Sequence, residues 1–167
     1  VMLIIKVDYN FSLAYYKYDI NNPPATISDI DTINIIFPNM SFAGSGGNLT
    51  PGDKVHLGTF HANEGVGWVL VANGWNGSVV GSGNNMFYSE QDLNPEASAT
   101  YRQHNVILVD NIREKLLIGF EDLFRGPGGA SDEDFNDAVF YADVSSLSAI
   151  SNLGLLQRTQ NVAPDTD

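Results

Sequence analysis

Residues 115–143 read KLLIGFEDLFRGPGGASDEDFNDAVFYAD. Two runs of strong β-formers, 115–121 and 137–144, flank a stretch of glycine, proline and acids, so the segment reads as strand, loop, strand. The same grammar recurs outward from it. Runs at 3–9, 32–37, 54–61, 66–73 and 104–110 have strand character, and each is bounded by turn-forming residues. Short strands separated by turns are the pattern of a sandwich or jelly roll. Eleven of the sixteen glycines lie between Gly44 and Gly83, where GSGG, EGVG, NGWNG and GSGN punctuate the apolar runs. No long stretch carries a helical stripe; the best candidate, 146–153 after a Ser145 cap, is short. The expected fold is mainly β: an antiparallel β-sandwich, jelly-roll-like, with long loops and a short C-terminal helix or tail. One domain is expected over 1–154, followed by a flexible tail at 155–167 (LLQRTQNVAPDTD).

Composition narrows the function. Twenty acids against eight bases give a net charge of -12, which disfavours phosphate backbones and hence nucleic acid as partners. With no cysteine, disulfides and thiolate metal sites are excluded. The opening VMLIIKV is too short to span a bilayer and lacks the basic flank and small-residue cleavage site of a signal peptide. No membrane insertion is expected. No G-x-x-x-x-G-K-[ST] phosphate loop and no G-x-S-x-G elbow occurs, and His56, His61 and His104 are dispersed, so neither nucleotide, serine nor zinc chemistry is indicated.

What is concentrated is acid. Glu121, Asp122, Asp132, Glu133, Asp134 and Asp137 stand against one cation, Arg125. Like charges held close in a partly dry site repel by several kcal/mol, and a hard cation removes that repulsion. Calcium takes six to eight oxygens from carboxylates, amides and carbonyls, all of which the segment offers. Asp132-x-Asp134-x-Asn136 has the opening spacing of many calcium loops, yet it is no EF-hand. Asp137 stands where the turning glycine belongs, and 138–142 is too apolar and β-prone for a loop. Glu121 and Asp122, ending one strand, face that loop if the two strands pair. A solvated acidic loop is the bland alternative. Paired carboxylates for glycoside or two-metal hydrolysis are a second one, without an acid/base pair in an aromatic cleft to support it, and no enzyme is expected.

The run LLIGFEDL…SDEDFNDAVFYADV resembles the signature of an uncharacterised-domain family marked by G-F-E-D and then S-D-x-D-F-N-D. LTPGDKVHLGTF, VGWVLVANGW, FYSEQDLNPE and HNVILVD agree with it, so the likeness covers roughly 50–144. Such domains are common in very large calcium-dependent bacterial surface adhesins of the repeats-in-toxin (RTX) type. The resemblance implies calcium-bound β-sandwich modules, several ions, and calcium ligands at Glu121, Asp122, Asp132, Asp134, Asn136 and Asp137. Glu133, at the variable position of the motif, is expected to point to solvent.

Other residues leave alternatives open. Glu90, Asp92, Asn94 and Glu96 alternate in SEQDLNPE and could form a further calcium site or a solvated turn. Asp110 could bridge an ion or cap a turn, and Asp53 suits a turn in TPGD. Trp75, between Asn-Gly pairs, and Tyr88 with Ser89 beside it are candidate ligand-binding residues or partly buried loop anchors. Taken with the acidic cluster, the resemblance implies an extracellular, bacterial-surface, calcium-dependent module in cell adhesion and biofilm formation. The resemblance leans toward acidic C-terminal peptides on other cells as ligands. A carbohydrate-binding module or a calcium-stiffened spacer are the alternatives, and the terminal Asp165-Thr166-Asp167 could mediate self-association.

Overall fold

The computed structural model describes residues 2–7, 9–41, 46–150 and 156–158. Among the described residues, ten strands form two sheets. In chain order they are β1 (Met2–Val7), β2 (Ser12–Asp19), β3 (Asn34–Phe37), β4 (Lys54–Val55), β5 (Glu64–Ala72), β6 (Asn85–Tyr88), β7 (Asn105–Asp110), β8 (Lys115–Phe120), β9 (Ala138–Asp143) and β10 (Leu156–Arg158). The larger sheet runs β10-β7-β8-β9-β1-β4 and the smaller one β3-β2-β5-β6. Every ladder is antiparallel except β10 against β7, which is parallel.

The sheets pack face to face around a core drawn from both. Leu13, Trp68, Leu70 and Phe87 from the smaller sheet meet Leu116, Ile118, Phe120 and Phe140 from the larger. Trp68 lies edge-on to Phe140 with ring centroids 5.6 Å apart, joining the two layers. Successive strand residues point to opposite faces. The other face of the smaller sheet is therefore free to carry a second cluster, Ala14, Tyr16, Val69, Val71, Tyr88 and Leu93. Ile30 and Ile33 cover it. Burial on both faces explains why β5 reads as a nearly unbroken apolar run. Gly67 and Gly65 sit opposite Tyr16 and Tyr18 across the β2–β5 ladder, and a Cβ on Gly67 would lie 2.0 Å from the Tyr16 ring. The tyrosines occupy the space the glycines leave. Their hydroxyls, with that of Ser89, donate to the carboxylate of Glu90.

The strands differ from expectation in four places. Of the helix expected at 146–153, the described part, 146–150, holds a 3-10 turn at Leu147–Ala149, because the apolar residues there do not repeat at helical spacing, and 151–153 lie outside the described residues. The expected strand at 54–61 keeps ladder pairing only at Lys54–Val55. β2 and β6 join as strands the sequence reading passed over. Within the stretch expected as a flexible tail, 156–158 form β10, whose main chain pairs with β7, while 155 and 159–167, including Asp165-Thr166-Asp167, lie outside the described residues. Asp53 behaves as a turn residue, accepting the Thr50 amide at 2.8 Å. Among the described residues, no helix is long and apolar enough to cross a membrane.

Candidate metal centre

The central pair of the larger sheet, β8 and β9, pairs in register from Lys115↔Asp143 to Phe120↔Ala138. Between them the chain leaves the sheet at Glu121 and returns at Asp137. Gly126 and Gly128 turn it through the left-handed region, at φ 91 and 85. Glu133 and Phe135 adopt the same region at φ 64 and 57. That conformation is uncommon for side chains with a Cβ and is concentrated at sites whose surroundings enforce it. Here the turns are fastened locally: the Glu133 amide donates to Ser131 Oγ at 3.0 Å and the Asn136 amide to Asp134 Oδ1 at 3.1 Å. Gly119 lets the loop fold down onto β8. A Cβ there would lie 2.4 Å from the Phe135 carbonyl oxygen.

This folding brings the acids into two groups that share Glu121. One is Glu121, Asp122 and Asp137; the other is Glu121, Asp132 and Asp134; within each, one oxygen per residue lies within 4.8 Å of the others. Oxygens bound to one calcium-sized ion at 2.3–2.6 Å can be no more than about 5 Å apart, so both groups could hold a metal ion. Glu121 is the hinge of the arrangement and is 1% exposed, whereas Asp132 and Asp134 are exposed. The Phe135 amide donates to Glu121 Oε2 at 3.3 Å, and the Asp122 amide to Asp137 Oδ2 at 3.0 Å. Asn136 donates its side-chain amide to Asp134, so its amide oxygen is the atom left to serve as a ligand. Glu133 turns away and pairs with Arg125 at 3.4 Å.

The electrostatics show the strain of this crowding. Burial raises the Glu121 pKa; a Ser131 hydrogen bond opposes this, and the charges of Asp137 and Asp132 add to it. Burial, then the charge of Asp137 and a hydrogen bond to it, push Asp122 from an ordinary 3.8 to about 7. A site that holds protons near neutrality is one where a cation can take their place.

The other sequence candidates are engaged elsewhere. Asn94 is buried and latches the chain: its oxygen accepts the Tyr88 amide at 2.8 Å, and its amide reaches the Tyr88 and Arg102 carbonyls. Asp92 pairs with Arg102 at 3.3 Å, and Glu96 with His104 at 2.7 Å. Asp110 caps its turn through the Ile112 and Arg113 amides. Among the described residues, none of Asp92, Glu96 or Asp110 belongs to a three-acid group. Tyr88, 2% exposed, is no surface platform, and Ser89 spends its hydroxyl on the Trp68 amide and Glu90. Trp75 is half-buried in the 73–84 loop, its amide bonded to the Asn10 carbonyl at 3.1 Å.

Sequence reasoning missed two features of the centre. Leu123 and Phe124, each 41% exposed, follow directly on the acids, and their signal was the apolar pair inside FEDLFRG. His104, fully buried, lies behind Glu121, with Nδ1 3.1 Å from the Glu121 carbonyl. Its place opposite Glu121 follows only from the β7–β8 register.

Fold and site together define a β-sandwich with an acidic, cation-competent loop between two central strands. Residues 60–145, just over half of the 167-residue chain, match the family described as Domain of unknown function (DUF4114), and the chain belongs to that family. No curated protein and no solved structure matches it.

Proposed function

We propose that this domain is a calcium-binding β-sandwich that acts as an extracellular ligand-binding module of a bacterial adhesin. The observation that carries the calcium reading is the pair of acid groups sharing Glu121, with their oxygens at ionic-ligand separation. All-oxygen donors without cysteine or histidine suit a hard cation, and six to eight flexible oxygens suit calcium over magnesium. Bound calcium would neutralise the crowding and hold the 121–137 loop, with several ions possible around Glu121. The adhesin setting, the bacterial surface and the part in attachment rest on the resemblance noted in the sequence.

For the ligand, the exposed Leu123–Phe124 pair beside the acids favours a peptide. An ion with an open coordination position accepts a carboxylate oxygen, and the apolar pair can take a neighbouring side chain. Burial of Tyr88 removes one of the two aromatic platforms on which a sugar reading leaned. Calcium titration followed by melting, with and without EDTA, tests the first half; a melting temperature indifferent to both sinks it. A C-terminal peptide library beside a glycan array, each with calcium, tests the second. Leu123→Ser with Phe124→Ser should abolish peptide capture while leaving calcium uptake intact. Capture by neither array leaves the domain a calcium-stiffened spacer and ends the ligand proposal.

A further inference from the structure

Strand β7 begins at Asn105 and β8 ends at Phe120, and these two residues are the last register pair of their ladder. One step beyond, His104 stands opposite Glu121. The Glu121 amide donates to the His104 carbonyl at 2.9 Å, and His104 Nδ1 lies 3.1 Å from the Glu121 carbonyl. A carbonyl oxygen only accepts, so Nδ1 carries a hydrogen and donates it. The main chain of the shared acid is thus gripped at both of its polar groups, at the point where the sheet ladder has run out.

The imidazole that makes this grip is itself held on three sides. Its Nε2 lies 2.7 Å from Glu96 Oε1, and its ring stacks on Phe87 with centroids 4.0 Å apart and planes 20° from parallel. Its side chain is 0% exposed and that of Glu96 7%. Glu96 is anchored in turn by the Arg125 amide at 3.4 Å, while its second oxygen is buried and has no hydrogen-bond partner among the described residues. A carboxylate buried with one oxygen unanswered is costly, and the His104 contact, at 2.7 Å, is the shorter of the two that its other oxygen makes. Nothing in the strand pairing requires a histidine here, because β7 and β8 are complete without it.

We infer that His104, backed by Glu96, is the positioning residue of the metal centre, fixing the Glu121 main chain so that its buried carboxylate serves both acid groups. This rests on the calcium reading above. His104 touches no ion; it acts through Glu121, as the partners behind metal ligands do elsewhere, where their loss costs about 10–100-fold in affinity. Carboxylates that must converge against their own repulsion need a backbone that does not yield, and the grip supplies it.

Calcium affinity by calorimetry at one fixed pH, beside melting in metal-free buffer, tests the inference. His104→Leu should weaken calcium binding about 10–100-fold and Glu96→Gln about tenfold. His104→Asn, whose side-chain amide places a donor where Nδ1 sits, should recover most of the affinity. A residue that merely supports the fold would lower the melting temperature of the metal-free and calcium-saturated forms equally and leave Kd unchanged. That result for His104→Leu, or for Glu96→Gln if the leucine variant does not fold, overturns the inference while the calcium reading stands. A wild-type chain that takes up no calcium overturns both.

Discussion

Removing cations should make this protein more stable in mild acid than at neutral pH, and Asp122 sets the size of the effect. Its carboxyl is raised from 3.8 to about 7 by burial and by Asp137. A group whose folded pKa lies above its unfolded value stabilises the fold fully below the unfolded value, and loses that contribution as pH rises through the folded one. The window therefore runs from about pH 4 to just above 7, and the sign is loss of stability on going up. At about 1.4 kcal/mol per pH unit the ceiling is roughly 4 kcal/mol. Asp122 is only partly buried, so solvent screening reduces this to about 2 kcal/mol. For a chain of this length that is about 4–8 °C in melting temperature. Asp29, Glu64 and Asp110, whose pKa values are lowered, work in the opposite sense. Their contribution is lost only below the ordinary carboxylate range, so melts between about pH 5 and 8 avoid it. The assay is calorimetric melting in metal-stripped buffer for wild type and Asp122→Asn, the variant subtracting every other titration. Wild type should gain about 4–8 °C over the variant from pH 8 to 5, and saturating calcium at pH 8 should cancel the difference. Parallel pH profiles for the two proteins would refute the reasoning.

Three further outcomes are expected. Gly119→Ala places a methyl 2.4 Å from the Phe135 carbonyl, so the loop must lift by about 1 Å and the Phe135–Glu121 hydrogen bond goes. A hydrogen bond to a charged group is worth about 1.5 kcal/mol, so calcium affinity should fall about tenfold in a titration. Phe140→Ala removes a fully buried ring at the junction of the two sheets, and urea unfolding should show a loss of about 3–5 kcal/mol. A loss under about 1 kcal/mol would mean the sheets do not pack there. Burial, then Glu90, pushes Tyr18 up to about 12 and Tyr16 higher still. Stability from these tyrosines is intact below about pH 10 and lost as pH rises through 12 and beyond. Glu90→Gln should move tyrosinate absorbance to lower pH and cost about 1–3 kcal/mol.

How far the sequence could be read depended on whether the deciding force was local. β7, β8 and β9 were legible because β-branched and aromatic residues cluster between turns. β2 was not, because SLAYYKYD mixes tyrosines and charges, and its burial comes from neighbours on both faces of the smaller sheet. The acids of the 121–137 loop were legible through their spacing, which the hairpin keeps together. Asp92, Asn94 and Glu96 had comparable spacing but different fates, since the Asn94 amide finds backbone at Tyr88 and Arg102, and Glu96 finds a buried histidine. Alternation states that side chains share a side; it does not state what waits there. Tyr88 likewise reads as a loop aromatic until the second cluster closes over it.

The placement of the acidic loop has a kinetic consequence. β8 and β9 are neighbours in sequence and stand at the centre of the larger sheet, with β7 and β10 on one side and β1 and β4 on the other. Most other pairings join distant stretches of chain, such as β1 with β9, and such topologies fold slowly. Closing the loop between Glu121 and Asp137 costs about 2.5 kcal/mol of chain entropy, and repulsion among its acids adds to that barrier. On the calcium proposal, an ion gathered early by those acids would relieve the repulsion and offset the entropy. The rest of the larger sheet then grows outward from a hairpin already formed, so calcium should quicken folding rather than only slow unfolding.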